Sequence, residues 1–269
     1  MKGPARAILP SWILQIVQMR FDSRPTLSRP DARAVYDGFA AKGHIGGNDA
    51  SSGYGGPAVQ ALLTLAAFSE AKTVLDYGCG QGKLAELALS NHQQLVWRGV
   101  DQSPLMVQRA QERLHKFGAR STTDLLEDGD PSQVAVKPGT VDRFVSTYCL
   151  DLLSERDMYG VLDTAERSLH SERGLLLLSG ITWGYRDSIK TFFMTLIWEV
   201  LYRVTRKTVG GCRPQNLEPY LRARGWTIVR AVRTLPNGVS PAFHKCAHTS
   251  LLIKSACSPT VLVRDLGEA

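Results

Sequence analysis

Val74-Leu75-Asp76-Tyr77-Gly78-Cys79-Gly80-Gln81-Gly82 is a short apolar run that ends in an acid and three alternate glycines. The side chains from Thr73 to Tyr77 suit a buried strand, and the residues from Gly82 to Ser90 place Leu84, Leu87 and Ala88 on one helical face. A strand that turns through glycine straight into a helix opens a βα unit. Glycine accepts positive φ and lets the backbone approach a ligand with no Cβ between them, and the helix that follows begins with free N–H donors. The stretch therefore reads as a nucleotide- or nucleoside-binding turn.

Moving outward, the same alternation recurs. Apolar runs at Leu95 to Val100, Val141 to Thr147 and Gly174 to Ile181 are each followed by a helix-like segment. Ser103 and Pro104 are start signals for a helix ending near Gly118, with Met106, Ala110 and Leu114 on its inner side, and Ser154 opens another that runs to Leu169. The third strand is weakly marked. Trp226 to Arg233 alternates as a strand, the loop around Pro236-Asn237-Gly238 follows, and Ser250 to Lys254 is a second strand with no long helix between. The expected fold class is α/β: a doubly wound, mostly parallel seven-stranded sheet with a C-terminal antiparallel strand pair and helices on both faces.

Composition bounds the rest. The 269 residues are 43% hydrophobic and 21% charged, which suits one globular domain. Lys plus Arg number 32 against 25 Asp plus Glu, but the basic residues are scattered and no aromatic-plus-basic stripe appears, so nucleic acid is not expected as a partner. Cys79, Cys149, Cys212, Cys246 and Cys257 form no close-spaced pairs, which predicts reduced thiols in the cytoplasm or an organellar interior. Cys246 and His248 lack a second ligand pair, and no metal is expected.

Residues 1–30 surround the apolar run Ile8 to Val17 with Lys2, Arg6, Arg20, Arg24 and Arg29 against Asp22. That run is too short to span a bilayer and reads as a targeting segment, an interfacial helix or a helix docked on the domain. Residues 31–257 are expected to form the domain, with 258–269 a tail.

Gly99-Val100-Asp101 places an acid at the end of the second strand, from which a carboxylate takes the hydroxyls of a ribose. A dinucleotide dehydrogenase would carry G-x-G-x-x-G. Here Gly78, Gly80 and Gly82 follow G-x-G-x-G, with Asp76 two residues ahead. A carboxylate beside a pyrophosphate would be repelled, whereas beside an amino group it forms a charge-assisted hydrogen bond. The spacing favours S-adenosylmethionine (SAM).

These residues resemble the class I SAM-dependent methyltransferases, in particular the small-molecule branch with the ubiquinone and menaquinone biosynthesis enzymes. VLDYGCGQGKLAELAL is similar to the family's first motif, GVDQSPLMVQRAQERL to its second, GDPSQVAVKPGTVDRFVST to the segment from the third strand through the fourth, and RGLLLLSGIT to its fifth strand. The resemblance implies that Asp76 meets the SAM amino group, directly or through water, and that Gly78 and Gly80 lie against the methionine part. It implies that Asp101 holds the ribose, that Gln102 and Met106 border the adenine, and that Asp130 and Pro131 contact the adenine edge. Asp124 and Asp128 compete with Asp130 for that role. Tyr148 would line the cleft between cofactor and acceptor. Residues 31–70 are similar to the family's N-terminal lid, with Tyr36 and Tyr54 as candidates to cover SAM.

Methyl transfer is an in-line displacement that needs a base only when the acceptor must lose a proton. His244 and His44 are candidates for that role, although a loop histidine also suits a plain surface position. Within a substrate-side insert at 185–210, Ile189, Phe192, Phe193, Leu196, Ile197, Val200, Leu201 and Val204 repeat at helical spacing and are expected to face the core. The other side, with Met194, Trp198 and Tyr202, is expected to line an apolar acceptor pocket or to touch a membrane. The expected activity is methyl transfer to a small, fairly apolar acceptor such as a quinone, aromatic or lipid-like metabolite. The rivals are a non-catalytic methyltransferase-like subunit that binds a protein partner and an aminopropyltransferase.

Overall fold

The computed structural model describes residues 26–41, 56–181, 189–207, 209–234 and 248–255. In chain order its helices are α1 (Arg29–Ala41), α2 (Gly56–Leu65), α3 (Lys83–Asn91), α4 (Pro104–Leu114), α5 (Glu155–Ser168), α6 (Ile189–Val204) and α7 (Glu218–Ala223). Its strands are β1 (Thr73–Tyr77), β2 (Val96–Asp101), β3 (Ser121–Leu125), β4 (Arg143–Thr147), β5 (Leu175–Ile181), β6 (Trp226–Thr234) and β7 (His248–Ser255).

Five strands form a parallel sheet in the order β3-β2-β1-β4-β5. Central β1 pairs on one side with β2, Val74 opposite Trp97, and on the other with β4, Val74 opposite Arg143. Beyond β5 lie β7 and then β6, both paired antiparallel, with a register shift between Ile228 and Arg230.

Apolar side chains on both faces of the inner strands require cover on both sides. On one face α2, α3 and α4 bring Val59, Leu62, Leu84, Leu89 and Leu114 onto Val74, Trp97, Val145 and Leu177. On the other, α5 and α7 bring Met158, Val161, Leu162 and Leu221 onto Leu75, Tyr77, Phe144 and Leu176. Each fully buried side chain of this size contributes about 1.5–3 kcal/mol relative to exposure.

The start signals act as the sequence reads. The Ser103 hydroxyl accepts from the Met106 N–H at 3.1 Å ahead of Pro104, and the Ser154 hydroxyl accepts from the Asp157 N–H at 3.1 Å. One boundary differs. The helix that Ser103 opens stops as α4 at Leu114, and a 3-10 segment, His115–Arg120, carries the chain past Gly118, whose φ is 56°.

Over 196–204, where its side chains are described, α6 is turned the other way from the expectation, with Leu201 alone of the expected stripe packed inward. Trp198 and Tyr202 are buried against Tyr148, Ile181 and Cys212, while Ile197, Val200 and Val204 are exposed. Both faces are apolar, so periodicity located the helix without choosing its inner side. Polar atoms decided it: the Trp198 indole N–H donates to the Cys212 carbonyl at 2.9 Å, which an aromatic with a polar tip needs when buried.

Candidate active site

The strand order reverses direction at β1, because β2 and β3 lie to one side and β4 and β5 to the other. Loops leaving β1 and β4 therefore diverge, and a crevice opens beyond their C-terminal ends, the place where ligands bind in sheets of this type. A cleft of about 1170 Å³, including its open mouth, lies there.

Its floor is the glycine turn. Gly78, Gly80 and Gly82 have φ of 74°, 53° and 72°. Their roles differ. A Cβ on Gly78 would lie 2.6 Å from Cys149 Sγ, whereas one on Gly80 would meet nothing within 4 Å. Gly78 serves packing, and Gly80 leaves open space in the cleft wall. A Cβ on Gly82 would press on Leu114 at 3.0 Å, so that glycine lets α3 and α4 approach.

Asp101 ties this turn to β2. Its Oδ2 accepts from the Gly80 N–H at 2.8 Å and its Oδ1 from the Ser103 N–H at 2.9 Å. Burial pushes its carboxyl up, and those two N–H groups oppose the shift. Each oxygen keeps a lone pair for a hydroxyl donor from the cleft, which Asp101 lines together with Gln102 and Met106.

Asp76 is elsewhere. It is absent from the cleft lining, buried to 1% exposure beside the Trp97 indole, with Oδ1 lacking any partner. Strand alternation is the cause: Tyr77 points to the cleft, so the preceding side chain points to the opposite face. Burial pushes the Asp76 carboxyl up to about 7.

Asp130 and Pro131 are also displaced from the expected position. The Asp130 carboxylate caps the short turn Pro131–Gln133 by accepting from the Ser132 N–H at 3.0 Å, and Pro131 is buried against Gly160. Neither lines the cleft; Leu126 and Gly129 do. A glycine in the turn after the third strand, at φ 61°, was the available sign. Asp124 pairs with Arg98 on the surface at 2.7 Å, and the Asp128 carbonyl accepts from Arg29 at 3.3 Å.

The far end of the cleft is framed by Tyr148, Tyr36 and Cys212. Tyr148 holds φ at 51°, a strained value for a non-glycine residue, and its N–H donates to the Ser179 carbonyl at 2.8 Å. The Tyr36 hydroxyl lies 3.7 Å from Cys212 Sγ, and burial raises the pKa of both groups. Leu27, Ala32 and Leu152 complete an apolar wall there, while Cys149 lines the cleft beside Gly78. Arg29, ion-paired with Asp157 at 2.6 Å, borders it. No spacing in the sequence marks Leu27, Cys149, Leu152 or Cys212; packing between distant segments unites them. Trp198 and Tyr202 stand behind Tyr148 and Cys212 as support and do not line the cleft. Tyr54, His44 and His244 lie outside the described residues.

Residues 74–172 match the model of a methyltransferase domain. No curated protein sequence matches the chain. Among solved structures, mitomycin 7-O-methyltransferase is similar at 22% identity and a TM-score of 0.53, over 75% of this chain and 55% of that one. This chain thus spans little more than half the length of that enzyme. A SAM-dependent methyltransferase from Geobacter sulfurreducens, solved with S-adenosyl-L-homocysteine, is 14% identical with a TM-score of 0.54, over 81% of this chain and 97% of that one. Geranyl diphosphate C-methyltransferase from Streptomyces coelicolor A3(2) is 14% identical with a TM-score of 0.55, over 73% and 77%. At these identities the likeness is one of fold.

Proposed function

We propose that this chain is a SAM-dependent methyltransferase and that it methylates a small and mostly apolar acceptor of the quinone, aromatic or lipid-like kind. The observation that carries the acceptor class is the wall of Leu27, Ala32, Leu152, Tyr36 and Tyr148 at the far end of the cleft. An apolar wall with few polar groups selects ligands by shape and burial. The similar structures include enzymes for mitomycin and geranyl diphosphate, both small molecules. The ubiquinone and menaquinone methyltransferase branch is the finer form of the same reading.

The residues present fit the cofactor. Open space at Gly80 and the lone pairs that Asp101 keeps toward the cleft are each an unmet contact at the turn. Asp101 would accept from the ribose hydroxyls, with Gln102, Met106, Leu126 and Gly129 around the adenine. Gly78 and Gly80 would lie along the methionine part. Asp76, behind the turn, would reach the amino group through a water. When bound, SAM supplies an electrophilic methyl group on a sulfonium. The chain's own part is positional: Tyr148, fixed by its backbone bond to Ser179, and Tyr36 would hold the acceptor in line and exclude water. Residues 31–70 would act as a lid.

Titration calorimetry with SAM tests the cofactor site: parent protein should bind, and Asp101→Ala should bind at least tenfold more weakly. Incubation with SAM and fractionated apolar metabolites, followed by mass spectrometry, tests the acceptor. A methyl gain confined to highly polar metabolites would overturn the acceptor class.

A further inference from the structure

The outer face of α6 is apolar where a soluble surface is usually polar. Ile197 is 50% exposed, Val200 53% and Val204 74%, with Leu196 beside them. At 3.6 residues per turn these four side chains fall within an arc of about 100°. From 189 to 207 the sequence carries Lys190, Arg203, Arg206 and Lys207 against one acid, Glu199, which is buried. Arg203 reaches back to Glu199 at 3.0 Å with its side chain still more than half exposed. Lys207 pairs with Asp31 of α1 at 3.1 Å. Among the described side chains the border of the stripe thus carries Arg203, Arg206 and Lys207, with Arg203 and Lys207 each sharing an acid and still more than half exposed.

We propose that α6 docks the protein on an anionic lipid surface, with Ile197, Val200 and Val204 entering the headgroup region and Arg203 and Arg206 meeting lipid phosphates. An apolar stripe flanked by Arg and Lys is the pattern of helices that lie in a membrane interface, and anionic headgroups supply the matching charge. The helix is about 24 Å long. No described helix is long and apolar enough to cross a membrane, so the contact is peripheral.

One placement strengthens the assignment: the inner side of α6 packs on Tyr148 and Cys212, which line the far end of the cleft, so docking would bring that end to the lipid surface.

The proposal rests on the α6 surface and is independent of the methyl-transfer reading, which SAM titration tests separately. Full-length protein is sedimented with phosphatidylcholine vesicles, with or without phosphatidylglycerol, alongside Ile197→Glu, Val200→Glu and the milder Ile197→Ser. The parent is expected to pellet with the phosphatidylglycerol vesicles only and to be released by high salt. Both glutamate variants should bind at least tenfold more weakly, with melting temperature and SAM affinity at parent values. Three results would overturn it: no pelleting of the parent, equal pelleting of parent and variants, or a parent dimer in light scattering that Ile197→Glu dissociates.

Discussion

The Gly80 N–H and Asp101 Oδ2 are 2.8 Å apart, a bond that joins the turn after β1 to the end of β2 across the floor of the cleft. One carboxylate thus shapes the turn and faces the ligand space. Asp101→Ala removes the acceptor of two loop N–H groups, an expected cost of about 1–3 kcal/mol in stability. It also removes the proposed ribose contact. Calorimetry should show SAM affinity at least tenfold weaker, and thermal unfolding a lower midpoint. Parent-like SAM affinity would remove Asp101 from the cofactor site.

Gly78 and Gly80 should separate stability from binding. In Gly78→Ala the new Cβ would stand 2.6 Å from Cys149 Sγ at a φ of 74°, so clash adds to backbone strain. Several kcal/mol of destabilisation is expected, which for a chain of this size moves the midpoint by about 2–4 °C per kcal/mol. In Gly80→Ala the Cβ meets nothing, leaving a left-handed alanine at about 1–2 kcal/mol. Its main effect is on the ligand, with SAM affinity reduced at least tenfold. A larger midpoint loss in Gly80→Ala than in Gly78→Ala would contradict this division.

Much of this was legible in the sequence. The glycine turn, Ser103-Pro104 and Ser154 are local signals, and they set β1, α4 and α5 within a few residues because strand, cap and turn chemistry are short-range. The orientation of side chains was less legible. Asp76 sits at the spacing of a ligand contact, yet period-two alternation behind Tyr77 turns it away from the cleft. Asp130 caps a turn because Ser132 offers an N–H two residues on. Cys149 and Cys212 come to line one cleft only after β4, β5 and α6 have packed, and nothing near either residue in the chain encodes that.

Two buried carboxyls give a pH dependence of definite sign. Asp76 and Asp151 are each raised to about 7, in both cases chiefly by burial. The ordinary aspartate value is about 3.9, so the fold favours their neutral forms. The stability they contribute is complete below about pH 4 and is lost as pH rises through about 7, with a slope of at most about 1.4 kcal/mol per pH unit per group. Asp142 runs the other way. Burial pushes its carboxyl up, but Arg173 and the N–H groups of Lys72 and Thr73 outweigh it and hold it low, so its contribution is lost in acid. Thermal midpoints should fall between pH 5 and 8, and Asp76→Asn with Asp151→Asn should flatten that fall. A parent midpoint that rises steadily over this range would refute the assignment.

The two faces of α6 make the final contrast. Trp198 is buried, donates to the Cys212 carbonyl at 2.9 Å, and supports Tyr148 from behind. Trp198→Ala leaves a cavity and an unpaired carbonyl, an expected loss of about 3–5 kcal/mol. Because that cavity lies against Tyr148 and Cys212, the acceptor end of the cleft should loosen while the glycine turn stays intact. SAM affinity should therefore change less than stability does. Ile197 is one residue earlier and half exposed, so Ile197→Glu should change stability by no more than about 0.5 kcal/mol. Chemical denaturation of both variants measures the difference directly. If Ile197→Glu proved the more destabilising, the helix would be rotated to the orientation that its longer apolar stripe suggests.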